Sequence, residues 1–315
     1  MKILVTGASG FVGQYLTERL TQNSMDFIAC SRQWAAAKAD NYALMPDFTD
    51  EIAWINLFSG CDVVIHLAAR VHVMKEKSDD ALAEFRKVNV YATHCLAQAA
   101  AKAGVKRFVF ISSIKVNGEF TENQPFSEND IPQPQDAYAI SKWEAEQGLL
   151  LIAQKTGMDV VIIRPPLIYG ANVKANFASM LKAVKRGLPL PLGAIVNKRS
   201  FVYVGNLVSL IVCCIDHPAA SNQTFLVSDG QDLSTTELLN ECAVALDVKP
   251  RFLPISQKLI GRCLAMLGKQ SLAQRLCDNL QVDISKACNL LDWKPPFTVA
   301  DGLKDCVLAR KVNSE

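Results

Sequence analysis

Residues 6–13 read Thr6-Gly7-Ala8-Ser9-Gly10-Phe11-Val12-Gly13, and this stretch decides the fold. Its glycines stand three apart, between a strand-like run, Lys2–Thr6, and a segment whose Val12, Leu16 and Leu20 share one helical stripe. Gly7 permits the tight turn, Gly10 lets backbone approach a pyrophosphate, and Gly13 lets the helix pack close to the strand. With Ser9, Phe11 and Val12 they form a loop that delivers phosphates to a helix N-terminus, where N–H groups are unpaired and the dipole is positive. The ligand this predicts is a dinucleotide.

Outward from the loop, strands and helices alternate. Phe27–Ser31 and Asp62–Ala68 read as strands, the second nearly continuous in apolar residues as buried parallel strands are. Asp79–Ala103 reads as one long helix ending at Gly104, Arg107–Ser112 as a strand, Ala137–Lys155 as a helix closed by Gly157, and Asp159–Arg164 as a strand. After Pro165-Pro166 the pattern loosens. Helices are expected over Ala175–Lys185 and Gly205–Asp216, with Gly187–Arg199 as loop or edge strand between them. A strand is expected over Gln223–Ser228, then a helix opened by the capping box Ser234/Glu237 and running to Leu246. The order predicts an α/β fold, a doubly wound parallel sheet (Rossmann) with a smaller C-terminal substrate domain. The dinucleotide-binding domain is placed at 1–170 and the substrate domain at 171–315, with about 205–230 returning to the sheet.

The end of the second strand bears on which dinucleotide binds. NAD-binding sheets place an acid there for the ribose hydroxyls, whereas this chain has Ser31-Arg32. A hydroxyl and a guanidinium suit a 2′-phosphate, so NADP(H) is favoured, with NAD(H) as the alternative. Asp47 and Phe48 are placed to hold the adenine. Tyr138 and Lys142, four apart at a helix start, project from one face. An ammonium near a phenol favours the phenolate, giving an acid/base usable near neutral pH. Ser112 and Ser113 end the preceding strand, where a hydroxyl could hold the reacting oxygen.

Together with His66-Leu67-Ala68-Ala69, Val88-Asn89-Val90 and Arg164-Pro165, these motifs resemble the extended short-chain dehydrogenases/reductases, the NAD-dependent epimerase/dehydratase family acting on nucleotide-sugars, along essentially the whole chain. The resemblance implies that Ser113, Tyr138 and Lys142 are catalytic, with Lys142 also binding the nicotinamide ribose. It implies that Leu67, Ala68, Ala69, Asn89 and Pro165 line the cofactor, and that Asn176 and Arg199 contact the diphosphate of a UDP-linked substrate. A homodimer formed through the helices beginning near Asp79 and Ala137 is also implied.

Within the family, Ser112–Glu119 and Leu188–Gly193 look most like the 4-keto reductases of UDP-2-acetamido-2,6-dideoxy-4-hexulose in bacterial surface-polysaccharide synthesis. The alternative is a UDP-hexose 4-epimerase with bound NAD. Two departures stand against it: no acid follows the second strand, and Leu167 stands where those epimerases usually carry asparagine. A non-catalytic dinucleotide sensor would usually have lost the Tyr/Lys pair, and a non-nucleotide ketone would not need Arg199 and Asn176.

Composition limits the rest. The chain has 315 residues, half of them hydrophobic, and a net charge of +2, which gives no reason to expect nucleic acid. Its ten cysteines show no Cys-x-x-Cys or zinc spacing, and Cys61, Cys95, Cys213 and Cys214 are expected to pack as small hydrophobes. That usage suits a reducing compartment. Met1–Thr6 reads as a core strand rather than a signal peptide, and runs such as Leu210–Ile215 are too short to span a bilayer. Cytoplasm is the expected location. His66, His72, His94 and His217 are scattered, so no metal site is expected, and His66 is read as a structural hydrogen-bonder. Lys115 is read as either a substrate contact or an exposed loop lysine. The leucine-rich, basic stretch 256–277 is expected to pack on the substrate domain rather than touch a membrane.

Overall fold

The computed structural model describes residues 1–32, 41–71, 80–173 and 175–312. Its strands are β1 (Lys2–Thr6), β2 (Asp26–Ser31), β3 (Tyr42–Leu44), β4 (Val63–His66), β5 (Arg107–Ile111), β6 (Asp159–Arg164), β7 (Leu167–Tyr169), β8 (Arg199–Tyr203), β9 (Thr224–Leu226) and β10 (Asp232–Leu233). Seven form one parallel sheet in the order β3-β2-β1-β4-β5-β6-β9. The chain winds outward from β1 in one direction, then returns through β4 in the other. That reversal is the topological switch point at which such sheets bind ligands. Thr6 is in register with both Cys30 and His66, so the glycine loop leaves the sheet between the carboxyl ends of β2 and β4.

Strand alternation divides the core into two layers. Ile3, Val5 and Ile65 face the helices Phe11–Gln22 and Val204–Asp216, meeting Leu16, Leu20, Leu207 and Ile211. Leu4, Val64, Phe108 and Ile162 face the other side, meeting Leu96 and Ala100 of helix Ala92–Lys102 and Leu149 of helix Ala137–Thr156. Every residue of β4 and β5 is buried, Arg107 included. Its guanidinium closes the C-terminus of helix Val204–Asp216 by donating to the carbonyls of Cys214, Ile215 and His217.

Several expected elements differ. The long helix predicted from Asp79, a residue outside those described, is three pieces: Ala81–Phe85, a π turn at Arg86–Tyr91, and Ala92–Lys102. Cys95 is exposed on the last of these, not packed as expected, whereas Cys61 and Cys214 are buried and Cys213 half-buried. A second, three-stranded sheet, β10-β8-β7, lies after β6; the edge strand anticipated over Gly187–Arg199 touches it only at Arg199, where β8 begins, and β7 and β10 were not expected. The capping box at Ser234 and Glu237 forms as expected, and β9 pairs with β6 at the edge of the main sheet. The stretch 256–277 folds as two helices, Gln257–Met266 and Gln270–Cys277, whose Ile260 and Cys277 pack with Ile195. Among the described residues no helix is long and apolar enough to cross a membrane.

Candidate active site

The phosphate loop has the shape its glycines require. Gly7 has φ +72°, and a Cβ there would lie 2.7 Å from the Ala68 nitrogen. A Cβ on Gly13 would lie 2.3 Å from the Gly7 oxygen, so neither position accepts a side chain. Ala8 N donates to Cys30 O at 3.2 Å, fixing the loop to the end of β2. The helices beginning after Asp50, Asp136 and Ser234 are capped by those side chains, but the helix behind Gly10 has no side-chain cap. Its first N–H groups are therefore left for an anion. A dinucleotide fits this cradle.

On the cofactor side, the β4 segment is held by two polar links. His66 is hydrogen-bonded to Thr6 Oγ1 at 2.7 Å and Thr93 Oγ1 at 3.0 Å, and burial pushes it down to about 3. It is a neutral structural group, as the sequence suggested. Asn89 sits inside the π turn, where the widened helix aims its amide at the chain after Ala69. Its Oδ1 accepts from Arg70 N at 2.8 Å, and its Nδ2 donates to Arg70 O and Ser141 Oγ, both at 3.0 Å. The wall Leu67–Arg70 and the helix carrying Tyr138 are thus tied through one side chain. Ser31 is buried and Arg32 exposed at the end of β2. Asp47 Oδ1 is engaged with Thr49 N and Oγ1, bonds that hold this carboxyl below its ordinary range, beside a half-buried Phe48.

Ser113, Tyr138 and Lys142 come together beyond β5. Asp136 caps their helix, its Oδ1 accepting Ala139 N at 2.7 Å. Beside the Ser113 hydroxyl, which favours its ionised form, the Tyr138 phenol is half-buried, and the Phe85 ring meets it edge-on at 6.0 Å. Lys142 is buried, its Nζ donating to Ile111 O at 2.8 Å and lying 4.4 Å from the centre of the Phe110 ring. Here the simple expectation fails. Burial, helped by the Asp136 charge, pushes Tyr138 up to about 12, and the group that opposes this is Ser113, not Lys142. Burial brings Lys142 itself down to about 7, which weakens the charge it can offer the phenol. The neighbouring Ser112 hydroxyl is buried without a hydrogen-bond partner among the described residues.

Sequence reading missed what Lys115 does. It is neither exposed nor free: its Nζ lies 2.6 Å from Asp136 Oδ2 and 2.7 Å from Glu119 Oε1. The local signal was present, since Glu119 is four residues on, but Asp136 is distant in sequence. Arg199, on β8, donates to Asp278 O at 2.9 Å, and burial lowers its pKa, with the charge of Arg275 adding in the same direction. Arg275 is a second cation here, which the sequence reading assigned only to the basic stretch 256–277. Asn176 falls in helix Ala175–Lys185, and its side chain lies outside the described part of the structure. Pro165 O accepts Ile114 N at 3.0 Å, fixing the turn behind Ser113. That turn is also held by Arg164, which forks onto Glu146 at 2.6 and 3.0 Å and donates to Asn117 Oδ1 at 3.0 Å.

The sequence model of the NAD dependent epimerase/dehydratase family matches residues 3–228. The chain belongs to this family. It is 47% identical to a UDP-glucose 4-epimerase of Vibrio cholerae, across 98% of this chain and 94% of that one. It is 29% identical to the N-acetyl-alpha-D-glucosaminyl-diphospho-ditrans,octacis-undecaprenol 4-epimerase of Escherichia coli O157:H7, across 96% and 92%. The UDP-glucose 4-epimerase of Thermotoga maritima, solved with UDP-glucose, shares the fold with a TM-score of 0.79 at 24% identity, each chain covered completely. These likenesses favour the epimerase alternative over the reductase preferred from sequence. The chain is thus an enzyme of the NAD-dependent epimerase/dehydratase family.

Proposed function

We propose that the protein is a UDP-hexose 4-epimerase that takes the proton of the C4 hydroxyl and the hydride of C4, then returns the hydride to the opposite face of C4 and the proton to its oxygen. The chemistry rests on Tyr138, whose ionised form the neighbouring Ser113 hydroxyl favours, with the buried Lys142 one helical turn on; the choice of sugar rests on the full-length likeness to the Vibrio relative. Tyr138 accepts the proton of the C4 hydroxyl and later returns it, while Ser113 holds the same oxygen. Lys142, buried one turn on with its amine on the Ile111 carbonyl, is placed to bind the nicotinamide ribose. The bound nicotinamide dinucleotide supplies the hydride acceptor and donor. Arg199, with Arg275 close by, holds the diphosphate.

A second reading is favoured by Ser31-Arg32: an NADPH-dependent reductase of a UDP-4-keto-6-deoxy sugar. The two separate in one experiment. An epimerase regenerates its cofactor each cycle, so the purified protein should carry bound NAD and interconvert UDP-glucose with UDP-galactose, or their N-acetyl counterparts, without added dinucleotide. Stoichiometric NADPH oxidation with a 4-keto sugar, and no interconversion, would establish the reductase instead.

Lys115 gives a pH test of the same site. Tyr138 is faced by Asp136, Ser113 and Phe85, and Asp136 is in turn neutralised by Lys115. Lys115→Met leaves the Asp136 charge uncompensated beside the phenol, which favours its neutral form. The acid limb of the pH–rate profile should move to higher pH, and an unmoved limb would show that this ion pair does not reach the reacting phenol.

A further inference from the structure

The outer face of the helices Gln257–Met266 and Gln270–Cys277 is apolar where a free surface should be polar. Leu259, Cys263 and Met266 stand at i, i+4 and i+7 on the first helix, about a quarter turn round from the buried Ile260. Leu267 and Leu272 carry the patch through the turn into the second helix. Leu259, Met266, Leu267 and Leu272 are 51%, 80%, 69% and 40% exposed, and Cys263 is exposed among them. Val196, also exposed, adjoins the first helix through its N–H, which donates to Gln257 Oε1 at 3.1 Å. Single exposed leucines are ordinary, but several on one helical hairpin mark a contact surface.

The charge around the patch indicates what covers it. Between Asp247 and Asp278 the chain has six cations, Lys249, Arg251, Lys258, Arg262, Lys269 and Arg275, and no acid. All six are exposed. The whole chain is only +2, so the rest of the molecule is net negative and the positive charge is concentrated here. A second copy is a poor occupant, because a two-fold contact sets each patch against itself and brings like charges together. An anionic bilayer supplies both missing partners, hydrocarbon for the leucines and methionine and negative headgroups for the cations. We propose that this helical pair docks the protein on the surface of an anionic lipid membrane. The docked orientation sets Arg275, and Arg199 within its electrostatic reach, near the lipid headgroups, so the diphosphate end of the candidate site opens close to the membrane.

Flotation of the full chain with phosphatidylcholine vesicles, with and without phosphatidylglycerol, tests this. Binding is expected only to the phosphatidylglycerol vesicles and should fall as salt rises. The triple variant Leu259→Ser, Met266→Ser, Leu267→Ser should lose binding while keeping turnover of soluble nucleotide-sugar. Lys258→Gln with Arg262→Gln, both on the open surface where folding is not at stake, should weaken binding by about tenfold or more. Failure to bind phosphatidylglycerol vesicles, or binding unchanged by the charge variant, overturns the proposal. So does light scattering that shows a dimer in the native chain and a monomer in the triple variant, since the patch would then belong to a second copy.

Discussion

Tyr138→Phe should lower turnover by ~10²–10⁴-fold, the contribution typical of a positioned general acid/base, while dinucleotide binding stays close to that of the unaltered protein. The substitution removes one oxygen and leaves the ring, so the edge-on contact with Phe85 and the buried amine of Lys142 are retained. Titration of the dinucleotide followed by intrinsic fluorescence, beside steady-state turnover, separates the two effects. The pH range should matter as well. Because burial and Asp136 hold the phenol up near 12, the unaltered enzyme should gain activity as pH rises from acid, where proton removal from the sugar hydroxyl is least favourable. A Tyr138→Phe variant with near-normal turnover would remove this residue from the mechanism.

The second large effect is on stability. Glu146 and Arg164 form a two-pronged ion pair in which neither side chain reaches solvent appreciably, with exposures of 1% and 5%. Breaking a buried pair by removing one partner typically costs about 3–5 kcal/mol, because the other charge is stranded. That is a large part of the roughly 5–15 kcal/mol that holds a domain together. Glu146→Leu should therefore shift the urea unfolding midpoint strongly downward. Replacing both partners, as Glu146→Leu with Arg164→Met, should recover much of the loss, since no charge is then left buried. If the single variant loses less than about 1 kcal/mol, Arg164 is being solvated or held by Asn117 alone.

What could be read from sequence was what local chemistry dictates. The glycine loop, the capping box at Ser234 and Glu237, the stop at Gly157 and the apolar run Val160–Ile163 each carry their own signal within a few residues. The rest depends on partners far along the chain. The π turn at Arg86–Tyr91 arises where Asn89 reaches back to Arg70 and across to Ser141, and alanine-rich periodicity gives no sign of it. Strands β7, β8 and β10 are two to five residues long, too short for an alternation to register. Lys115 was left undecided because Asp136 is 21 positions away. The ionisation of Tyr138 was read from a four-residue spacing that sets two side chains on one face, but the spacing says nothing of how deeply each is buried or that Lys142 turns to the Ile111 carbonyl.

The pairing of β9 with β6 has a consequence for how the molecule is made. The strand that completes the main sheet is drawn from residues 224–226, some sixty positions beyond the one it lies against. Until that stretch emerges during synthesis, β6 presents an open row of backbone donors and acceptors flanked by Ile162 and Ile163. Such an edge invites pairing with other chains. A fragment ending soon after Arg164, although it would contain the glycine loop, Ser113, Tyr138 and Lys142, should self-associate rather than persist as a free dinucleotide-binding unit. The two halves are therefore bound by a folding dependency that runs backward along the chain, in which the last strand protects the earlier ones.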